Sequence, residues 1–144
     1  MSEERRDSDR TPASYISTIV VNIAMLWFVN AIPGWDWRFI TGDFPAVLWA
    51  MNLSIGAHIA GNALLLLFHP RFLHYAVQAI METVSLLALI IVVTVYPFDF
   101  AAVLWRGADV LARVVLYVGI GGTIIAIIVH SLRAVGAFFG STKD

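Results

Sequence analysis

The chain contains no cysteine. That absence removes disulfides, thiol nucleophiles, cysteine-held iron–sulfur clusters and thioether-linked haem. Charge is scarce too. Asp, Glu, Lys and Arg make up 13% of the 144 residues, where a soluble domain carries about 25%. A net charge of −1 leaves no basic surface, so no nucleic-acid partner is expected. Catalytic signatures are missing as well. There is no Gly-x-Ser-x-Gly elbow, and no Ser, His and acid recur at one depth and side. Gly119-Ile120-Gly121-Gly122 lacks the Lys-Ser/Thr that a phosphate loop requires. His69, His74 and His130 include no His-x-x-x-His pair and no neighbouring carboxylate, so no metal site is expected. A bis-histidine haem across His69 and His130 is disfavoured, and no cofactor or catalytic residue is assigned. No family-specific motif is matched.

What the chain has in excess is apolar surface. Hydrophobic residues reach 60%, against about 45–50% in soluble domains, and a lipid bilayer is the expected surrounding. A spanning helix needs about 20 mostly apolar residues. Four stretches qualify, at about residues 13–32, 44–68, 72–96 and 108–132. Pro33-Gly34, His69-Pro70-Arg71 and Pro97 mark the breaks between them. The pattern predicts an all-α membrane protein, a four-helix transmembrane bundle over 13–136. A polar tail, 1–12, precedes it and a tail, 137–144, follows it. The mixed charge of the first residues and the length of the first apolar run argue against a cleavable signal peptide. Ser2 and the cysteine-free C-terminus exclude the common lipidation motifs.

Arg5, Arg6, Arg10, Arg71, Arg133 and Lys143 fall on one side of this layout, and Arg38, Arg106 and Arg113 on the other. The excess of basic residues places both termini in the cytoplasm, with a bacterial inner membrane as the expected location. Trp35, Trp37, Phe39, Phe44 and Trp49 then surround the first outer loop. Tyr96, Phe98, Phe100 and Trp105 surround the second. Such rings settle at headgroup level. Segment 35–43 is expected to lie in the interface, as an anchor or as the lid of a ligand site.

One phrase occurs twice. Asp43-Phe44-Pro45-Ala46-Val47-Leu48-Trp49 returns as Asp99-Phe100-Ala101-Ala102-Val103-Leu104-Trp105, with Pro45 against Ala101 as the one difference. Asp before an apolar run suits a helix N-cap, and Pro suits the first turn. Each copy is therefore expected to begin a helix, and the chain to consist of two helical hairpins in parallel repeat. A helix from Asp99 to Arg133 would reach about 50 Å, so a tilt or a bend near Gly107 is expected.

The candidate site lies inside the membrane. Counting from Pro70, His58 and Glu82 are each twelve residues away, and Asn62 and Gln78 each eight. Equal distances from the turn of an antiparallel hairpin mean equal depth, and i, i+4 spacing puts each pair on one helix face. His58 should meet Glu82, and Asn62 should meet Gln78. Asn22, near the middle of the first helix, could join them. An isolated carboxylate in lipid costs at least a few kcal/mol, so Glu82 must be protonated, paired with a cationic His or wet. The seam is either a structural clamp or a proton-titratable site for a small solute or ion. Arg113, four residues after Asp109, is the best anion contact, with a local salt bridge as its simpler role. Small residues at Gly56-x-x-x-Ala60, Ala57-x-x-x-Gly61 and Gly136-x-x-x-Gly140, and Gly119, Gly121 and Gly122, permit close helix approach. The reading that follows is a non-enzymatic integral membrane protein, working as a homo-oligomer or as an accessory subunit beside other membrane subunits. The alternative is a proton-linked carrier or channel using Glu82 and His58.

Overall fold

The computed structural model describes residues 11–68 and 70–140. Arg5, Arg6, Arg10, His69 and Lys143, with the rest of both polar tails beyond those bounds, lie outside the described residues. Among the described residues the fold is helical and contains no strand. Helices α1 (Pro12–Ala31), α2 (Phe44–Leu67), α3 (Arg71–Val95) and α4 (Ala108–Gly140) are each long and apolar enough to cross a membrane. Single 3-10 turns occupy Ile32–Gly34 and Phe100–Ala102.

The helices pack in succession, α1 on α2, α2 on α3 and α3 on α4. Two small apolar clusters hold them. Tyr15, Leu65, Val77 and Met81 form one, near the Pro70 turn. Ile32, Phe44, Val47 and Val92 form the other, at the opposite, aromatic end. Most other large apolar side chains point outward, among them Trp27, Ile80, Val118, Ile125 and Leu132, as expected of helices that shed their surface into lipid.

α4 runs to Gly140, past the end expected near Leu132. Arg133, the first charge after that end, does not stop the helix. Its guanidinium lies 6.0 Å from the Tyr75 ring centroid, and Phe138 packs on Phe72 with centroids 5.6 Å apart. These contacts keep the last turns of α4 against the first turns of α3.

At the aromatic end the two loops are tied together. Ile40 and Phe98 form an isolated antiparallel bridge. Thr41 N donates to Pro97 O at 3.0 Å and Asp99 N to Phe39 O at 2.9 Å. A relay of rings follows the same path, from Phe28 to Trp35, Trp37 and Phe39, then across to Phe100 and Phe98. Segment 35–43 is thus a turn-rich strap braced on the second loop.

The repeated phrase adopts two conformations. The first copy starts α2, with Pro45 in its first turn. Asp43 precedes the helix, yet its side chain caps no amide. The second copy does not begin a helix. Asp99 accepts from Ala102 N at 3.1 Å, Phe100–Ala102 makes one 3-10 turn, and α4 starts only at Ala108. Two causes are visible. Ala101 lacks the fixed φ that Pro45 supplies to a first helical turn. Asp109, in the first turn of α4, accepts from Phe100 N at 2.8 Å and Ala101 N at 3.3 Å. That carboxylate pins the second copy to α4 instead of letting it extend. The long helix expected from Asp99 is broken before Gly107, where the glycine leaves room for the Trp105 indole, whose Nε1 would lie 2.9 Å from a Cβ.

Tyr96 closes α3 in the left-handed region, φ 46°, a conformation that costs a non-glycine residue about 1–2 kcal/mol. Pro97 disfavours the helical alternative. Tertiary contacts hold the strained residue. Its hydroxyl donates toward Asp109 O and Oδ1 at 3.1 and 3.2 Å, and the Arg113 guanidinium sits 3.8 Å from its ring centroid. Removing the carboxylate in Asp109→Ala should therefore cost about 2–3 kcal/mol, since a partly buried acceptor of several hydrogen bonds is lost. Tyr96→Phe should cost about 1 kcal/mol, and the double variant less than the sum. Additive losses in detergent melts would show that the two residues do not act together. Burial pushes the Tyr96 phenol above its ordinary 10.0, and the Asp109 charge and hydrogen bond push it further, with Arg113 opposing. The folded state thus holds this proton more tightly than the unfolded chain. The stabilisation is complete below pH 10.0 and fades as pH rises through the raised value. Wild-type melting temperature should fall above that pH, and Tyr96→Phe should make the fall shallower; equal slopes would contradict this assignment.

Candidate functional site

Between the two apolar clusters lies a polar layer. On α2 it begins at Ser54 and includes His58; on α3 it is met by Ser85. His58 Nε2 is 2.9 Å from Ser85 Oγ, which is 3.0 Å from Ser54 Oγ. The expected partner of His58 was Glu82. Ser85, three residues further along α3, takes that place, and among the described residues no hydrogen bond or ion pair joins His58 to Glu82. Asn62 likewise meets Met81 Sδ, at 3.8 Å, and not Gln78.

Both displacements have one cause. Side chains lean toward the N-terminus of their own helix. On α2 that is away from the Pro70 turn, and on α3 it is toward it. For His58–Ser85 and Asn62–Met81 the tips that meet therefore belong to residues further along α3 than equal counting allows, whereas Ser54 and Ser85 meet almost level. Gly61 follows the same register. A Cβ on it would collide with Met81 and come within 3.1 Å of Val77 Cγ1, so this glycine sets how closely α2 and α3 approach.

The Ser54–Ser85–His58 chain can carry its protons in either sense. Nε2 can donate to Ser85 and Ser85 to Ser54, or each bond can reverse, because a hydroxyl both donates and accepts and imidazole has two tautomers. Asn62 closes one side of the layer. Its Nδ2 donates to His58 O at 2.7 Å, one turn back on its own helix, while its Oδ1 is buried without a hydrogen-bond partner. Gln78 is buried one turn before Glu82. Glu82 is half-buried, and no described residue is placed to bond its carboxylate. Asn22 does not join the layer: its Nδ2 donates to Thr18 O at 2.8 Å within α1. Nearer the Pro70 turn, Tyr15 Oη and His74 Nδ1 are 3.3 Å apart, linking α1 to α3.

Arg113 forms no salt bridge with Asp109, because that carboxylate is taken by Tyr96 and two loop amides. Its guanidinium stacks on Tyr96 instead. His130 on α4 keeps a buried Nδ1 without a partner. Among the described residues no three His, Asp or Glu gather closely enough to hold a metal.

One polar clamp escaped sequence reasoning. Asn30 and Asn52 exchange both amide hydrogen bonds, at 2.8 and 3.1 Å. Asn30 is near the end of α1, whereas Asn52 is eight residues inside α2, so α2 rises about 12 Å above that point. Equal counting cannot find this pair across a loop as long as 32–43. The signal available was the presence of two asparagines in each of two successive spans, Asn22 and Asn30 in α1 and Asn52 and Asn62 in α2.

Gly61→Ala should destabilise the protein by about 1–3 kcal/mol by overpacking the α2–α3 contact. Adding Met81→Ala should recover part of that loss by opening the space the new methyl needs. A Gly61→Ala protein as stable as wild type, or a double variant whose losses simply add, would show that the contact is looser than described.

No protein-family model, curated protein or solved structure matches this chain.

Proposed function

We propose that the chain is a non-enzymatic integral membrane protein that works through contacts with other membrane helices, as a homo-oligomer or as an accessory subunit. The observation that carries this reading is α4. Of its 33 residues only Ala108 and Ala134 are buried. Gly119, Gly121, Gly122 and Gly136 have nothing within 4 Å of where a Cβ would stand. A helix that spends glycine on its outward surface gives up intrinsic stability there, about 1 kcal/mol per residue relative to Ala, and close helix–helix approach is the usual compensation. Ser54, His58 and Ser85 support the same reading, because they answer one another between α2 and α3.

The protein extracted in native nanodiscs should run as an oligomer or with stoichiometric membrane partners. Gly122→Leu should break that assembly without lowering the melting temperature of the single chain. A wild-type particle of one chain and lipid alone would end this proposal.

A second reading, a proton-linked carrier or channel, is favoured by the unbonded Glu82 carboxylate and the unpaired Asn62 Oδ1. In proteoliposomes Glu82→Gln would then abolish a pH-gradient-driven flux while leaving folding intact. As a clamp, the same substitution would change stability and no flux. We also propose that both termini are cytoplasmic in a bacterial inner membrane. The cysteine-free sequence makes this direct to test. In intact cells an impermeant maleimide should label Arg38→Cys and spare Arg71→Cys, and the converse pattern would invert the orientation.

A further inference from the structure

A cavity of about 400 Å³ opens at the aromatic end, between the end of α1 and the start of α2, walled by Trp35, Asp36, Trp37, Ile40, Thr41 and Phe44 among others. Its volume falls at the small end of the range of about 300–1,000 Å³ usual for ligand sites. We propose that it binds an organic ammonium cation, either a free amine or the ammonium group of a phospholipid head.

Three observations point to a cation of this kind. First, Asp36 is the one charged residue in the wall, its side chain is exposed, and no described residue pairs with it. Second, Trp35 and Trp37 stand beside it with centroids 4.9 Å apart and planes inclined by 48°. Phe28 packs against both indoles, 5.3 Å from Trp35 and 6.2 Å from Trp37, and Phe39 stacks on Trp37 at 5.2 Å, so the pair is held in shape. Indole faces attract alkylammonium groups through the ring quadrupole and keep doing so where water is partly excluded. Third, most of the wall's backbone amides are already engaged and cannot turn to an anion. The amides of Trp35, Trp37, Ile40, Thr41 and Phe44 all donate to carbonyls of the protein itself. Pro45 has no amide hydrogen, and Arg38 is not part of the wall. The start of α2, which would ordinarily favour negative charge, is thus closed to it.

The cavity is distinct from the polar layer and does not depend on either reading of it. The strap 35–43 gains a role beyond anchoring: it carries both the carboxylate and the rings.

The test uses the full chain in an uncharged maltoside detergent, with indole fluorescence followed during titration with tetramethylammonium chloride against sodium chloride of equal ionic strength. A second arm places the protein in nanodiscs of phosphatidylglycerol with and without phosphatidylcholine. Saturable change with tetramethylammonium and not with sodium is expected, and Asp36→Asn should weaken it about tenfold. Asp43→Asn, an equal charge change outside the wall, should leave it nearly unchanged. Trp37→Leu should abolish it, and Trp37→Phe, which preserves an aromatic ring, should retain a weaker response. A response confined to the phosphatidylcholine arm and dependent on Asp36 assigns the ligand to the lipid head. Silence in both arms, or a response that Asp36→Asn and Asp43→Asn alter equally, overturns the proposal.

Discussion

Hydrocarbon supplies no hydrogen bonds, so a polar group inside a span must be answered by the chain itself. This constraint governs most of the side chains described here. Hydroxyls of Thr18, Thr83, Thr94 and Thr123 donate to carbonyls one turn back on their own helices. Asn30 and Asn52 answer each other between α1 and α2, and Ser54, Ser85 and His58 do so between α2 and α3. Such pairs fix rotation and depth, which apolar contacts against a chemically similar lipid do only weakly. The constraint also makes exceptions visible. Among the described residues Asn62 Oδ1 and His130 Nδ1 are buried without hydrogen-bond partners, and an unsatisfied group of this kind costs about 1–3 kcal/mol.

The same logic explains why parts of the structure were legible in the sequence. Long apolar runs separated by Pro and charge identify an all-helical chain with four membrane-length helices, because a continuous apolar run of about 20 residues satisfies its own backbone in lipid as a helix. Register was harder. Counting from Pro70 brought the right two helix faces together but paired His58 with Glu82, since counting ignores the lean of side chains toward helix N-termini. The Asn30–Asn52 pair was invisible because the loop before α2 has no fixed length in depth. Arg113 was assigned to Asp109 by i, i+4 spacing, yet local spacing cannot foresee that Tyr96 and two loop amides occupy the carboxylate first.

The repeated phrase shows how little local sequence decides alone. Its two copies differ at Pro45 and Ala101. One begins a helix, and the other is a 3-10 turn followed by a loop. The proline lowers the cost of a first helical turn in one copy. In the other, Asp109 offers the Phe100 and Ala101 amides an acceptor outside their own segment. A single distant carboxylate outweighs a shared preference because the loop amides must be satisfied somewhere, and α4 brings its first turn within reach.

The arrangement of apolar clusters bears on the choice between the two functional readings. The polar layer is sealed toward one end by Tyr15, Leu65, Val77 and Met81, and toward the other by Ile32, Phe44, Val47 and Val92. A carrier would have to open these seals in turn. The seal at the aromatic end is reinforced by the bridge between the loops, the ring relay and the Asp109 bonds. The other is held by the Gly61–Met81 approach, the Tyr15–His74 contact and the packing of Arg133 on Tyr75 and Phe138 on Phe72. A static subunit needs neither seal to move, and for it the layer serves only to lock α2 against α3. The two readings therefore differ in what they require of Met81, whose flexible side chain lies in one seal and touches the layer through Asn62.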